Sequence, residues 1–196
     1  MKLTLDWNCV IEVEEHRRQA TFVIDLVGRH RSGEFEVALL AASASENTKS
    51  KLFPGNAKLF KDRVAHLGWN DLPIVPMPAV WGLSYWDFCF YTDATFEPKF
   101  DALWTAIVPT VPRKASDHLQ MGQSLDVDSL QSEALAKWRN TWCDVMSAFS
   151  HIHAARDIFV TNNTSDFQRN MPKLSPLGMQ NICIPEDARR LISSLA

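Results

Sequence analysis

Short apolar runs separated by longer stretches of helical periodicity organise this chain. Leu3 to Asp6 reads as a buried strand, followed by a helix that runs through the charged stretch Glu12 to Arg18 or restarts there. Phe22, Val23, Leu26 and Val27 recur at helical spacing, which predicts an amphipathic helix over Arg17 to His30, ended by Gly33. Phe35 to Ala42 predicts a second strand, and the short Ser and Ala residues after it open a helix. The longest helical pattern runs from Leu130 to Ala155, where Leu135, Trp138, Trp142, Val145, Met146, Phe149 and Ile152 advance by three and four. Ile158 to Val160 and Ile182 to Ile184 predict two more strands, with Pro185 stopping the last and Glu186-Asp187 beginning a final short helix. Strands alternating with helices imply an α/β fold with a mostly parallel central sheet covered on both faces.

The stretch from 53 to 129 differs in kind. Pro73, Pro76, Pro78, Pro98, Pro109 and Pro112 fall within it, and so do Trp69, Trp81, Tyr85, Trp86, Phe88, Phe90, Tyr91, Phe96, Phe100 and Trp104. Proline at this density breaks long helices, while the aromatics demand burial. The expectation is an insertion packed against the sheet core, as a lid or an association surface, with Ser129 or Ser132 capping the helix that follows. The 196 residues, 46% of them hydrophobic, suit one domain spanning 1 to 196 with that insertion inside it.

Charge narrows the partners. A net charge of -3 gives no global attraction to nucleic acid, so any RNA or DNA contact needs a local basic patch. Cys9, Cys89, Cys143 and Cys183 lie far apart without metal or redox spacing, which predicts buried free thiols in a reducing compartment. No apolar stretch approaches the roughly 18 residues of a spanning helix, and the amino end opens directly on a strand pattern. A soluble, cytoplasmic protein without a membrane partner is expected.

The chemistry lies in acids at strand ends. Asp6 follows the first strand, and Asn162, Asn163 and Asp166 follow the third, with Glu46 and Asp144 extending the set. Ligands of open α/β sheets bind outside the carboxyl ends of the strands, so carboxylates there converge on one cleft. Close carboxylates resist joint ionisation unless a cation neutralises them, and Mg²⁺ or Mn²⁺ suits oxygen ligands. Taken singly, each residue has a plainer role. Asp6 can cap a helix, Ser43-x-x-Glu46 fits a capping box, Asp144 fits a solvated helix face, and Asn162, Asn163 and Asp166 suit an ordinary turn.

Together the motifs resemble the PIN-domain nucleases. Leu5-Asp6-Trp7-Asn8-Cys9-Val10-Ile11 is similar to that family's opening strand, and Ser43-Ala44-Ser45-Glu46 to the start of the helix carrying its second acid. Asp144, within Trp142-Cys143-Asp144-Val145-Met146-Ser147-Ala148, resembles the third acid. The run from Arg156 to Phe167 and the tail from Leu177 to Ala188 resemble the family's last strands and its Pro-Glu-Glu-Ala ending. The likeness covers roughly Met1 to Lys51 and Trp138 to Leu195. It implies a three-layer α/β/α fold and a metal-dependent endoribonuclease, in which Asp6, Glu46 and Asp144 hold Mg²⁺ or Mn²⁺. The family's fourth acid falls on Asn163, whose amide oxygen can coordinate but brings no charge, unless Asp166 turns inward to replace it. Asn8, Thr161, Lys49 and Lys51 are the candidate substrate contacts. Alternatives are a catalytically reduced RNA- or protein-binding module, or a toxin whose antitoxin fills the cleft. A homodimer is a further expectation.

Other constellations fall away. His151 and His153 are two apart on a predicted helix, about 200° around its axis, and cannot share a metal. They suit one surface and one partly buried imidazole. No Gly-rich phosphate loop and no nucleophile with a tethered His is visible. Trp138 and Trp142 can stack unpaired bases, but their spacing favours the core. The basic runs at 17–31 and 49–63 suit solvated faces, the second lying close enough to Glu46 to guide phosphates.

Overall fold

The computed structural model describes residues 1–48, 50–120, 122 and 124–195, the side chain of Leu195 excepted. It opens with β1 (Lys2–Leu5), α1 (Trp7–Glu14), α2 (Ala20–Arg31), β2 (Glu36–Leu40), a 3-10 turn at Ala41–Ser45, α3 (Lys58–His66) and β3 (Ile74–Val75). It continues through β4 (Met77–Pro78), β5 (Cys89–Phe90), α4 (Phe96–Ile107), α5 (Val127–Gln131), α6 (Ala136–His153), β6 (Ile158–Val160), α7 (Met171–Leu174), β7 (Asn181–Cys183) and α8 (Pro185–Leu195).

The central sheet has the order β3-β2-β1-β6-β7, with every pairing parallel, and β4 and β5 form a separate parallel pair. The chain steps outward from β1 through β2 to β3, then crosses to the other side of β1 to add β6 and β7. That reversal makes the β1/β6 boundary a topological switch point, the place where open α/β sheets leave a crevice beyond their strand ends.

Alternation along each strand divides two hydrophobic cores. Val37 and Leu39 of β2, with Leu3, Leu5, Ile158 and Val160, face α1, α2, α3 and α8. Ala38 and Leu40, with Phe159 and Ile182, face α4 and α6. Both faces are covered, so these strands read as unbroken apolar runs. Phe159 is wholly buried between the β1 and β7 neighbours of its strand, a burial that stabilises by about 1.5–3 kcal/mol.

Several boundaries differ from the periodicity, for local reasons. α1 stops at Glu14 because His16 takes the left-handed region (φ 51°) and turns the chain, so the second helix begins at Ala20 rather than Arg17. Its first turn is supported by Glu12, whose Oε2 accepts the Gln19 N–H at 2.9 Å. The long pattern from Leu130 is interrupted at Ser132, which is extended, leaving α5 and α6 as separate helices. The last strand is Asn181–Cys183, one residue earlier than Ile182 to Ile184.

The segment 53–129 supplies β3 to the central sheet. Two residues between prolines carry no strand signal, yet β3 is an edge strand, where proline is tolerated, and the Pro73 carbonyl accepts the Leu39 N–H at 2.9 Å. Pro98 sits in the first turn of α4, where no intrahelical donor is needed. Among the described residues no helix is long and apolar enough to cross a membrane. The four thiols are free; Cys9 and Cys143 are buried as expected, while Cys89 and Cys183 are only partly covered.

Candidate functional site

β1 ends at Leu5, and Asp6 is at once the cap of α1 and the centre of a polar network at the switch point. Its Oδ1 accepts the Trp7 N–H at 2.8 Å. Its Oδ2 accepts from Thr161 Oγ1 at 2.7 Å and from Asn8 Nδ2 at 2.5 Å. One oxygen caps the helix and the other ties it to the turn after β6.

Thr161, first after β6, is saturated: beyond its donation to Asp6 it accepts from Asn8 Nδ2 at 2.9 Å and from the Asn163 N–H at 3.0 Å. The amide of Asn8 is oriented by the same network, since its Oδ1 accepts the Asn162 N–H at 2.9 Å. Asn162 itself keeps a buried Nδ2 that has no partner among the described residues. Asn163 caps the π-helical turn Thr164–Gln168, its Oδ1 accepting from Ser165 Oγ at 3.0 Å and from the Asp166 N–H at 3.3 Å. Its Nδ2 donates to Asp166 Oδ2 at 2.9 Å. The amide thus holds the neighbouring acid.

Asp6, Glu46 and Asp144 act on one another electrostatically. Burial raises the Asp6 carboxyl above its usual range, opposed by the hydrogen bonds from Thr161, Trp7 and Asn8. Burial pushes Glu46 well up, the charges of Asp6 and Asp144 add to this, and Arg63 partly offsets it. Asp144 is likewise raised well up, by burial first and then by Asp6 and Asp166. The charge of Asp6 thus reaches both Glu46 and Asp144, which stand on separate segments of the chain.

Among the described residues, no three of His, Cys, Asp and Glu stand close enough to hold one metal ion. The two observations are compatible. Charge interaction in a poorly solvated recess reaches well beyond the roughly 2 Å of a coordination bond.

Glu46 follows the 3-10 turn Ala41–Ser45 in extended backbone. No capping box forms, since Ser43 lies inside the turn with its Oγ buried and without a partner among the described residues. The loop after Glu46 is fastened to α6: Asn47 Nδ2 donates to the Ala136 carbonyl and to Asn140 Oδ1, each at 2.6 Å. Arg139 completes the fastening. It is wholly buried, and its guanidinium donates to Asn47 Oδ1 at 2.9 Å, Leu130 O at 2.7 Å, Ser132 O at 2.5 Å and Lys51 O at 3.3 Å. Those two carbonyls of the 130–132 segment are the ones freed where the long helix is interrupted. Five positions further along α6 stands Asp144, so one helix positions both the Glu46 loop and the third acid.

Lys51 lies exposed on that loop in the left-handed region (φ 62°) and is held through its carbonyl rather than its ammonium. Lys49 lies outside the described residues. Two arginines stand near Glu46, Arg63 from the end of the basic run 49–63 and Arg139, which the sequence did not single out. Arg63 of α3 pairs with Glu14 through Nε at 2.8 Å, lies 4.5 Å over the Trp7 ring, and faces Glu46. Arg139 is in sequence one polar position on an amphipathic helix; its four acceptors reveal its role. His151 is fully buried, not partly, with Nδ1 2.6 Å from Thr4 Oγ1 on the α4/α6 side of the sheet, while His153 is exposed and stacked on Phe90. Trp138 and Trp142 belong to the core.

Comparison of the chain with family models, with curated proteins and with solved structures finds no match, so the likeness to PIN-domain nucleases rests on the residues quoted above.

Proposed function

We propose that this chain is a metal-dependent nuclease with a three-layer PIN-like domain, hydrolysing RNA phosphodiester bonds beyond the ends of β1 and β6. The observation that carries the reading is the buried Asp6 carboxylate held by Thr161 and Asn8 at the switch point of a parallel sheet, with Glu46 and Asp144 within reach of its charge. The donor set fits a hard divalent ion: oxygen ligands only, poorly solvated, and mutually repelling until a cation arrives.

Asp6, Glu46 and Asp144 would hold Mg²⁺ or Mn²⁺, with Asp166 as the fourth acid. When bound, the ion supplies an activated water and stabilises negative charge on the phosphate oxygens. The surrounding residues do the positioning. Asn8 and Thr161 fix the Asp6 carboxylate, Asn163 orients Asp166, and Arg63 tempers the charge of Glu46. Lys51 offers a cation to the substrate backbone from the adjoining loop.

A catalytically reduced binding module is the second reading, and Asn163 favours it: the amide stands where the resembled family has an acid and is already engaged with Ser165 and Asp166. Incubating mixed RNA and DNA pools with Mg²⁺, Mn²⁺ or chelator separates the two. Cleavage that requires metal and is lost in Asp144→Asn supports the nuclease. Retention of RNA without cleavage in any metal supports the binder, and the absence of both would leave the acids with no role in nucleic acid.

A further inference from the structure

Trp81, Trp86 and Tyr91 remain 76%, 70% and 83% exposed although the chain has two cores able to take them. Large apolar side chains left out together mark a binding surface. Here they rim a cavity of about 380 Å³, whose walls are completed by Val80, Cys89 and Val127. That volume is at the lower end of small-molecule sites, about 300–1,000 Å³.

The cavity is built on fixed backbone. Ser84 Oγ donates to the Pro78 carbonyl and accepts the Val80 N–H, both at 2.9 Å, and the Ala79 N–H donates to the Phe90 carbonyl at 2.8 Å. Gly82 takes φ 78°, and its carbonyl accepts from Gln131 Nε2 at 3.0 Å; a Cβ at Gly82 would meet Val127 at 3.4 Å. The rings are therefore presented by a floor that is already in place.

Its chemistry restricts the ligand. None of the lining residues is charged, so an ionised group inside would lack a counter-ion. The Ser84 hydroxyl is already engaged, which leaves the two indole N–H groups, the Tyr91 hydroxyl and the Cys89 thiol as the side-chain polar groups of the lining. A flat, neutral, π-rich group suits two indoles and a phenol. Charge lies one step away. Trp86 also borders a groove containing Lys58 and Lys61, whose ammonium groups pair with exposed Asp62 and Asp87, that of Lys61 also lying 5.1 Å from the centroid of the Phe88 ring. Exposed pairs of this kind contribute little and yield readily to a phosphate.

We propose that the Trp81–Trp86–Tyr91 cavity takes an unpaired nucleobase, with the attached phosphate carried toward Lys58 and Lys61. That base has two sources, a free nucleotide or a single strand. The neighbouring α3 also supplies Phe60 and Arg63 to the recess around Glu46, so a strand seated here runs toward the acids.

The test is fluorescence anisotropy of a labelled RNA hexamer with the full chain in chelator, where cleavage cannot intervene, with mononucleotide of the same base as competitor. Wild type should bind, and Trp81→Ala and Trp86→Ala should each weaken binding about tenfold, within the range for loss of one base-stacking ring. Both side chains are exposed, so melting curves should match wild type. Lys58→Gln with Lys61→Gln should flatten the salt dependence of hexamer binding. Displacement by mononucleotide assigns the site to free nucleotides, and its failure beside strong hexamer binding assigns it to a strand. The proposal is overturned if wild type binds no base in either form, if the double tryptophan variant binds as wild type does, or if only a methylated ammonium, a sugar or a protein ligand depends on these rings. Base binding without metal-dependent cleavage would remove the nuclease reading alone; cleavage with unaltered binding in the tryptophan variants would remove this one alone.

Discussion

Thr161 and Asp6, 155 positions apart in sequence, are joined by a 2.7 Å hydrogen bond from the threonine hydroxyl to the buried carboxylate. The bond crosses the switch point of the sheet and places the end of β6 against the end of β1. Since Thr161 also receives Asn8 and the Asn163 N–H, it determines how the whole turn after β6 sits over Asp6.

Thr161→Val should cost about 1–3 kcal/mol in urea unfolding, because the shape is kept while two donors and one carboxylate lose a partner. Thr161→Ser should recover most of that loss. Equal stability of the valine and serine variants would mean the hydroxyl contributes nothing.

Glu46 and Asp6 should respond in opposite directions to neutralisation in chelator. Glu46 is raised well above the usual range by burial and by two neighbouring carboxylates, so Glu46→Gln should stabilise the metal-free fold by on the order of 1 kcal/mol, or about 2–4 °C in melting temperature. Asp6→Asn should lose about 1–3 kcal/mol, because one end of the amide must set a donor against the Trp7 N–H or against Asn8 and Thr161. Paired thermal and urea melts measure both, and cleavage should be absent from each variant.

The acid limb of stability carries the sign of His151. Burial beside Arg156 lowers this imidazole from 6.5 to about 3. Between those values the unfolded chain holds a proton that the folded chain lacks, so stability falls as pH falls, by up to about 5 kcal/mol. Glu46 and Asp144 act oppositely: their raised carboxyls bind protons in the folded state first, adding stability as pH drops from neutral toward the ordinary carboxylate range. Unfolding free energies from pH 7 to 4 should therefore fall more steeply in Glu46→Gln than in wild type and less steeply in His151→Gln.

Asn163→Asp sets a second carboxylate beside Asp166, where the amide now donates at 2.9 Å. The variant should melt lower than wild type in chelator and gain more from Mn²⁺, with metal binding tightened about fivefold, equivalent to roughly 1 kcal/mol. Asp166→Ala should weaken the same binding. Titration calorimetry showing no change in either variant would remove both positions from the metal site.

Arg139→Met should cost at least about 3 kcal/mol, since the Leu130 and Ser132 carbonyls and Asn47 lose their donor inside the protein. Arg139→Lys cannot supply the planar fork and should recover little. Hydrogen exchange should locate the loosening in 47–53 and 130–135.

Much of the scaffold was legible in the chain because apolar periodicity is a local record of burial. Leu3, Val37 and Ile158 lie in runs flanked by helical patterns, and those runs became β1, β2 and β6 in a parallel sheet. The strand-end rule likewise set Asp6 and the turn after Val160 at one edge of the sheet, while the bonds that tie Asn8 and Thr161 to Asp6 depend on the fold. Only the tertiary structure decided what depends on partners distant in sequence. β3 is two residues between prolines, and it is a strand because β2 offers it an edge. Ser132 divides an unbroken helical pattern because buried Arg139 takes the carbonyls around it. Asn163 proves to hold Asp166, a role set by a turn that composition does not encode. Trp81, Trp86 and Tyr91 have the same residue types as the buried rings around them; whether an aromatic enters the core or rims a cavity depends on where the backbone carries it, and hydrophobicity alone does not say.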